Sequence, residues 1–124
     1  MELNRYIDHT LLSAAATESD ILRLCEEALK YHFYSVCVNS NYVALAKQAL
    51  GQSQVKVCTV ISFPLGAMST EAKIYEAKKA IEQGATEIDM VMNIGRLKSK
   101  NHVALLKDIS NVKRAIGLIS LKGF

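Results

Sequence analysis

The 124-residue chain lacks most of the features that mark a specialised class of protein. Its three cysteines, Cys25, Cys37 and Cys58, are odd in number and follow no repeating spacing, which argues against a disulfide framework and against a zinc site. The three histidines, His9, His32 and His102, have no ligand spacing, so no metal is expected. No apolar run approaches the ~20 residues that span a bilayer, and no apolar stretch follows a basic start as it does in a secretory leader. Neither sign of charge dominates. Fifteen basic and twelve acidic residues give a formal charge of +3, too weak and too scattered to point to nucleic acid. Phosphate-cradling GxGxxG, Walker and EF-hand patterns are missing. No Pro- or Ser-rich linker marks a domain boundary. A reducing, cytoplasmic setting with no nucleic-acid or membrane partner fits these absences.

Half of the residues are apolar, enough for one real core. Strand-like and helix-like segments alternate along the chain. Residues 6–11 read as a short strand. Thr17 and Asp20 then form a helix-start pair, followed by Ile21, Leu24, Cys25, Ala28 and Leu29 at helical spacing. Residues 35–39 form a β-branched second strand, and Asn39 or Ser40 caps a helix that Gly51 ends. Residues 55–63 are the clearest strand, stopped by Pro64-Leu65-Gly66. Ser69 or Thr70 opens a third helix that Gly84 closes. Residues 87–94 are a fourth strand, and Asn101 caps a last helix carrying Leu105, Ile109, Val112 and Ile116. Four βα units predict a parallel α/β sheet, either doubly wound or a (βα)4 half of a TIM (β/α)8 barrel.

Buried parallel strands are usually continuous apolar runs, but these are interrupted. By the strand period of two, Ile88, Met90, Met92 and Ile94 oppose Glu87, Asp89, Val91 and Asn93. Val36 and Val38 oppose Ser35, Cys37 and Asn39. Thr59 shares a face with Val57 and Ile61, which turns Lys56 toward the helices. If the polar faces point inward, Asp8, Cys37, Asn39, Thr59 and Asp89 gather around one axis. Buried carboxylates cost several kcal/mol unless paired, so two of them aimed inward suggest a polar site. The competing readings are plain ones: an aspartate that caps a loop or edge, and cysteines that serve as small core residues. Gly66 and Gly95 fit turns better than phosphate cradles.

Four segments become specific together: Ile7-Asp8-His9-Thr10-Leu11-Leu12, Val36-Cys37-Val38-Asn39, the run from Val57-Cys58-Thr59 to Pro64-Leu65-Gly66, and the run from Glu87-Ile88-Asp89 to Asn93-Ile94-Gly95. In this order and spacing they resemble bacterial deoxyribose-phosphate aldolases. The resemblance implies a class I aldolase on a (β/α)8 barrel, without metal or organic cofactor. Such enzymes cleave 2-deoxy-D-ribose 5-phosphate reversibly into glyceraldehyde 3-phosphate and acetaldehyde. It implies that Asp89 is the proton donor and acceptor, and that Asp8, Cys37 and Thr59 line the substrate pocket. The Schiff-base lysine of such enzymes lies on the sixth strand and a second lysine on the seventh, so no residue of this chain matches either. The resemblance divides the chain into a half-barrel at residues 1–114 and a non-matching tail at residues 115–124.

Three functional readings follow: an aldolase chain that stops before its Schiff-base lysine, an inactive half-barrel that self-associates, or a flavodoxin-type phosphate-binding sheet. The last would want a Gly- or Ser-rich loop after the first strand, and Leu12-Ser13-Ala14-Ala15-Ala16 is a poor one. A half-barrel alone should show little turnover. Its open edges, and a face on which Val57, Ile61 and Val91 meet water, should favour a homodimer or larger assembly.

Overall fold

A computed structural model describes residues 2–123. Five parallel strands run β1 Asp8–Leu11, β2 Ser35–Val38, β3 Lys56–Ile61, β4 Glu87–Met90 and β5 Ser120–Gly123. Between them lie α1 Glu18–Tyr31, α2 Val43–Leu50, α3 Thr70–Glu82, α4 Ile94–Lys98 and α5 His102–Ile116. Each strand pairs with the next in sequence, in the order β1-β2-β3-β4-β5. A doubly wound sheet reverses direction at a switch point. This sheet never reverses, so the crossovers all step the same way, as in a barrel.

Local chemistry sets the helix starts. Thr17 Oγ1 accepts from Asp20 N at 3.3 Å while Asp20 Oδ2 accepts from Thr17 N at 2.9 Å, a reciprocal box that opens α1. Hydrogen bonding from the Thr17 backbone N–H, and then from its side chain, holds the Asp20 carboxyl below its usual range. Ser69 Oγ and Asn101 Oδ1 cap α3 and α5 by accepting from Ala72 N and Ala104 N, both at 3.2 Å. The helices cover one face of the sheet. Ile21, Leu24 and Ala28 of α1, Val43 and Ala46 of α2, Ala77 and Ala80 of α3 and Val112 of α5 pack there on the strands. The strand side of that core is Val36, Val38, Val57, Ile61, Ile88 and Met90.

Three expectations change. The fourth strand ends at Met90, because Asn93 caps α4 by accepting from Arg96 N at 3.1 Å. Beyond the four expected βα units, Ser120–Gly123 pairs in parallel with Glu87–Met90 as a fifth strand. Val57, Ile61 and Val91 do not meet water, and all three are buried. The first two lie on the helix side, because their strand is turned over relative to the expected alternation.

One contact in the helix layer is charged. Lys73 Nζ, fully buried, donates to Asp108 Oδ2 at 2.5 Å and to the Val91 carbonyl at 3.3 Å, and Thr70 Oγ1 donates to Asp108 Oδ1 at 2.7 Å. Removing one member of a buried pair strands the other charge. Asp108→Ala is therefore expected to cost about 3–5 kcal/mol in denaturant unfolding, whereas Lys73→Met with Asp108→Leu should recover most of that loss. A single variant no less stable than the double would show that the pair is solvated.

Candidate active site

The face of the sheet away from the helices carries the candidate chemistry. In the register, Cys37 pairs with Cys58, and Val60 with Asp89. Cys37, Cys58 and Val60 form a second, smaller buried cluster with Leu12 against it. Three of the four residues expected at the site meet there. One donor atom each from Asp8, Cys37 and Asp89, with one from Cys58, lies within 4.8 Å of all the others.

Thr59 does not join them. It pairs with Val38, whose side chain packs under the helices, and its hydroxyl donates to the Val38 carbonyl at 2.6 Å. The expected alternation of β3 is off by one. Cys58 and Val60 face the site, and Thr59, Val57 and Ile61 face the helices. The physical reason is that both faces of β3 are apolar, so no polar stripe marks its orientation. Cys58 is the site residue that sequence reasoning missed. Lys56, two residues before it, alternates onto the site face too, not toward the helices as expected. Asn39 ties the loop after β1, donating from Nδ2 to the Leu12 carbonyl at 3.2 Å.

The electrostatics single out Asp89. Burial raises its pKa most. A hydrogen bond from the Cys58 thiol, at 3.5 Å to Oδ2, and the charge of Lys122 pull it back, and Asp8 and Glu87 push it up again. Asp89 Oδ1 is shielded from solvent and has no hydrogen-bond partner among the described residues. Contact with the Cys37 thiol, then burial, holds the Cys58 thiol well above its ordinary range, so it is no ready nucleophile. Asp8 Oδ1 accepts from Ser35 Oγ at 2.6 Å. Below Asp89 on the same strand, Glu87 accepts from Tyr34 Oη, and its Oε2 lies 3.9 Å from Lys122 Nζ. That bond to Glu87 foremost, with burial, pushes the Tyr34 hydroxyl up to about 12. A half-buried carboxyl above its usual range, with one oxygen free, can both take and give a proton.

The loops at this end of the sheet are fixed from behind. Glu76 of α3 accepts from Ser62 N at 2.8 Å and from Ser40 Oγ at 2.9 Å. Gly66, at φ +68°, presses its backbone on the segment after β4, where an added Cβ would sit 2.1 Å from the Met92 carbonyl oxygen. A separate cavity of about 660 Å³ opens at the other end of the strands, between Arg5, His32, Lys47 and Lys56, and does not touch the acidic cluster.

Comparison with known proteins agrees with this geometry. The family described as DeoC/LacD family aldolase matches residues 3–122. A deoxyribose-phosphate aldolase of Finegoldia magna is 61% identical over 115 residues, covering 93% of this chain and 54% of the relative. A solved structure from Coccidioides immitis, described as a possible deoxyribose-phosphate aldolase, superposes with a TM-score of 0.95 at 44% identity, over 98% of this chain and 48% of that one. A tetrameric deoxyribose phosphate aldolase from Aeropyrum pernix superposes at 0.79 with 34% identity, over 98% and 51%. The chain thus spans about half the length of the curated relatives it matches.

Two substitutions test the geometry. Asp89 binds its proton more tightly folded than unfolded, so its ionisation works against the fold as pH rises through the folded value. Asp89→Asn should raise the melting temperature at neutral pH, and the gain should vanish below the ordinary aspartate pKa of ~3.9. A loss of stability at neutral pH would mean that the carboxylate is already satisfied. Gly66→Ala should cost more than ~1 kcal/mol in urea unfolding, since both the left-handed backbone and the Met92 carbonyl oppose a side chain.

Proposed function

We propose a function from one established premise: the chain belongs to the DeoC/LacD aldolase family. It forms the acid–base half of a deoxyribose-phosphate aldolase site, acting on a small phosphorylated sugar, 2-deoxy-D-ribose 5-phosphate. The observation that carries this reading is the Asp89 carboxyl, raised by burial, with Oδ1 unengaged, beside Asp8, Cys37 and Cys58. In a Schiff-base aldolase an amine adds to the substrate carbonyl and the carbinolamine then loses water. Each step needs a proton delivered to or taken from oxygen, which suits Asp89. Asp8 and Cys37 would border the substrate.

The amine is the missing part. Lys122 lies across from Asp89 in the register, but its ammonium is 3.9 Å from Glu87 Oε2 and largely exposed. Lys73 is bound to Asp108 behind the sheet. Lysine nucleophiles are activated by desolvation or by a neighbouring cation, and neither surrounds Lys122. The reading therefore takes its Schiff-base lysine from a second half-barrel. It is preferred over an inert half-barrel because Asp89, Asp8 and Cys37 converge on one face of the sheet beside Cys58. We further propose a homodimer or larger assembly, as one related aldolase is a tetramer. A cytoplasmic setting suits three free, buried thiols, and none of the described helices is long and apolar enough to cross a membrane.

The decisive experiment joins this chain to the second half of a related aldolase and measures retro-aldol cleavage of 2-deoxy-D-ribose 5-phosphate. The expected result is turnover, reduced roughly 10²–10⁴-fold by Asp89→Asn. For the chain alone, borohydride reduction in the presence of acetaldehyde should leave no single lysine modified. A specific adduct at Lys122 with turnover would overturn the need for a second half, and full activity in Asp89→Asn would overturn the role of Asp89.

A further inference from the structure

The cavity at the amino ends of the strands carries one sign of charge. Arg5, His32, Lys47 and Lys56 line it, and no aspartate or glutamate among the described residues does. In a chain with twelve acidic residues that one-sidedness is local. Gln54 and Thr86 add neutral donors, and Leu29, Phe33 and Val55 give it an apolar wall. At about 660 Å³ it has the size of a small-molecule pocket. Cations beside helix C-termini often serve only as carbonyl caps. Here backbone donors close the helices: Phe33 N binds the Ala28 carbonyl at 3.0 Å, Gly51 N the Lys47 carbonyl at 3.1 Å and Ala85 N the Ala80 carbonyl at 3.0 Å. Among the described residues, Lys47 and Lys56 have no carboxylate within 4.0 Å, and Arg5 meets only Glu2, in an exposed pair at 3.6 Å.

Three features hold these cations in place. Asn4 Nδ2 donates to the Tyr31 carbonyl at 2.8 Å and the His32 carbonyl at 3.2 Å, which ties the segment bearing Arg5 to the turn bearing His32. His32 ends α1 in a left-handed backbone, φ 55°, where glycine is the usual residue, so a side chain is kept there against strain. The stem of Lys47 lies on Gly84, where an added Cβ would sit 2.7 Å from Lys47 Cγ. Arg5 precedes β1 and Lys56 opens β3, two strand spacings apart or about 10 Å. Such a spread suits two linked phosphates better than one, and lysine binds phosphate as a point charge. We propose that this cavity binds an organic diphosphate of the nucleoside diphosphate class. Its phosphates meet Arg5, Lys47 and Lys56, and its organic body rests against Leu29, Phe33 and Val55. The proposal does not rest on the aldolase reading, because Asp8, Cys37 and Asp89 line no part of this cavity.

The test is binding alone, which separates its failure from any failure of the catalytic reading. The full chain is titrated by calorimetry with ADP, inorganic pyrophosphate and adenosine in a low-salt buffer free of phosphate. ADP should bind one to one, more tightly than pyrophosphate, and adenosine should not bind detectably. Added salt should weaken ADP binding, since the cations are open to solvent. Lys47→Gln and Lys56→Gln should each weaken it at least ~5-fold through loss of a charge-assisted bond. Lys78→Gln, on α3 outside the cavity, removes the same charge and should leave it unchanged. Gly84→Ala keeps every charge but drives a methyl group into the Lys47 stem, so it too should weaken ADP. Should Gly84→Ala fail to fold by circular dichroism, the lysine variants carry the same test. Absence of ADP binding, an equal loss in Lys78→Gln, or unchanged affinity in both cavity lysine variants would overturn the proposal. Pyrophosphate binding as tightly as ADP would overturn the place given to the organic body.

Discussion

The ammonium of Lys73 is buried behind the sheet with three structural elements fastened to it. Its bond to Asp108 joins α3 to α5, and its bond to the Val91 carbonyl joins both to the chain that leaves β4. Two residues earlier is Asp89. One turn along α3, Glu76 holds the segments that follow β2 and β3 through Ser40 and Ser62. Positions three apart share one helix face, so one side of α3 secures the exits of three strands. A buried pair of this kind adds little net stability over an apolar substitute. Any sliding of α3 would leave a charge alone in the core at a cost of several kcal/mol, so the pair enforces position more than it adds stability.

Position is what the opposite face requires. The Asp89 pKa is raised chiefly by burial, with the charges of Asp8 and Glu87 adding to it, rather than by one strong partner. The strand sets which neighbours it has, the register sets their height, and the helix layer keeps the strand from moving. The titration of Asp89 and the packing of the sheet thus draw on the same few residues, and small displacements would alter both.

Much of this was legible in the sequence. Thr17 with Asp20, Ser69 and Asn101 announced their helices because capping is local chemistry, and the structure shows each making its cap. The facing of β4 was legible because Ile88 and Met90 alternate with Glu87 and Asp89. The facing of β3 was not: Val57-Cys58-Thr59-Val60-Ile61 is apolar on both sides, and only the pairing of Thr59 with Val38 resolves it. The end of β4 was hidden because Val91 and Met92 continue an apolar run that only the Asn93 cap interrupts. Nothing local to Lys73 or Asp108 reveals that α3 and α5 bring them together. Long-range pairings of this sort are set by packing, which no window along the chain contains.

The bond between Tyr34 and Glu87 has an optical consequence. The chain has five tyrosines and no tryptophan, so its ultraviolet emission is tyrosine emission alone. A phenol hydrogen-bonded to a carboxylate emits weakly, because the excited hydroxyl passes its proton to the acceptor. Tyr34 is therefore a dark fluorophore while Glu87 accepts from it. Glu87 is also the carboxylate nearest Lys122 on β5, so the last strand and the chromophore share one acceptor. The sheet carries its own reporter: brightening of Tyr34 signals a change at the β4–β5 edge without any label attached.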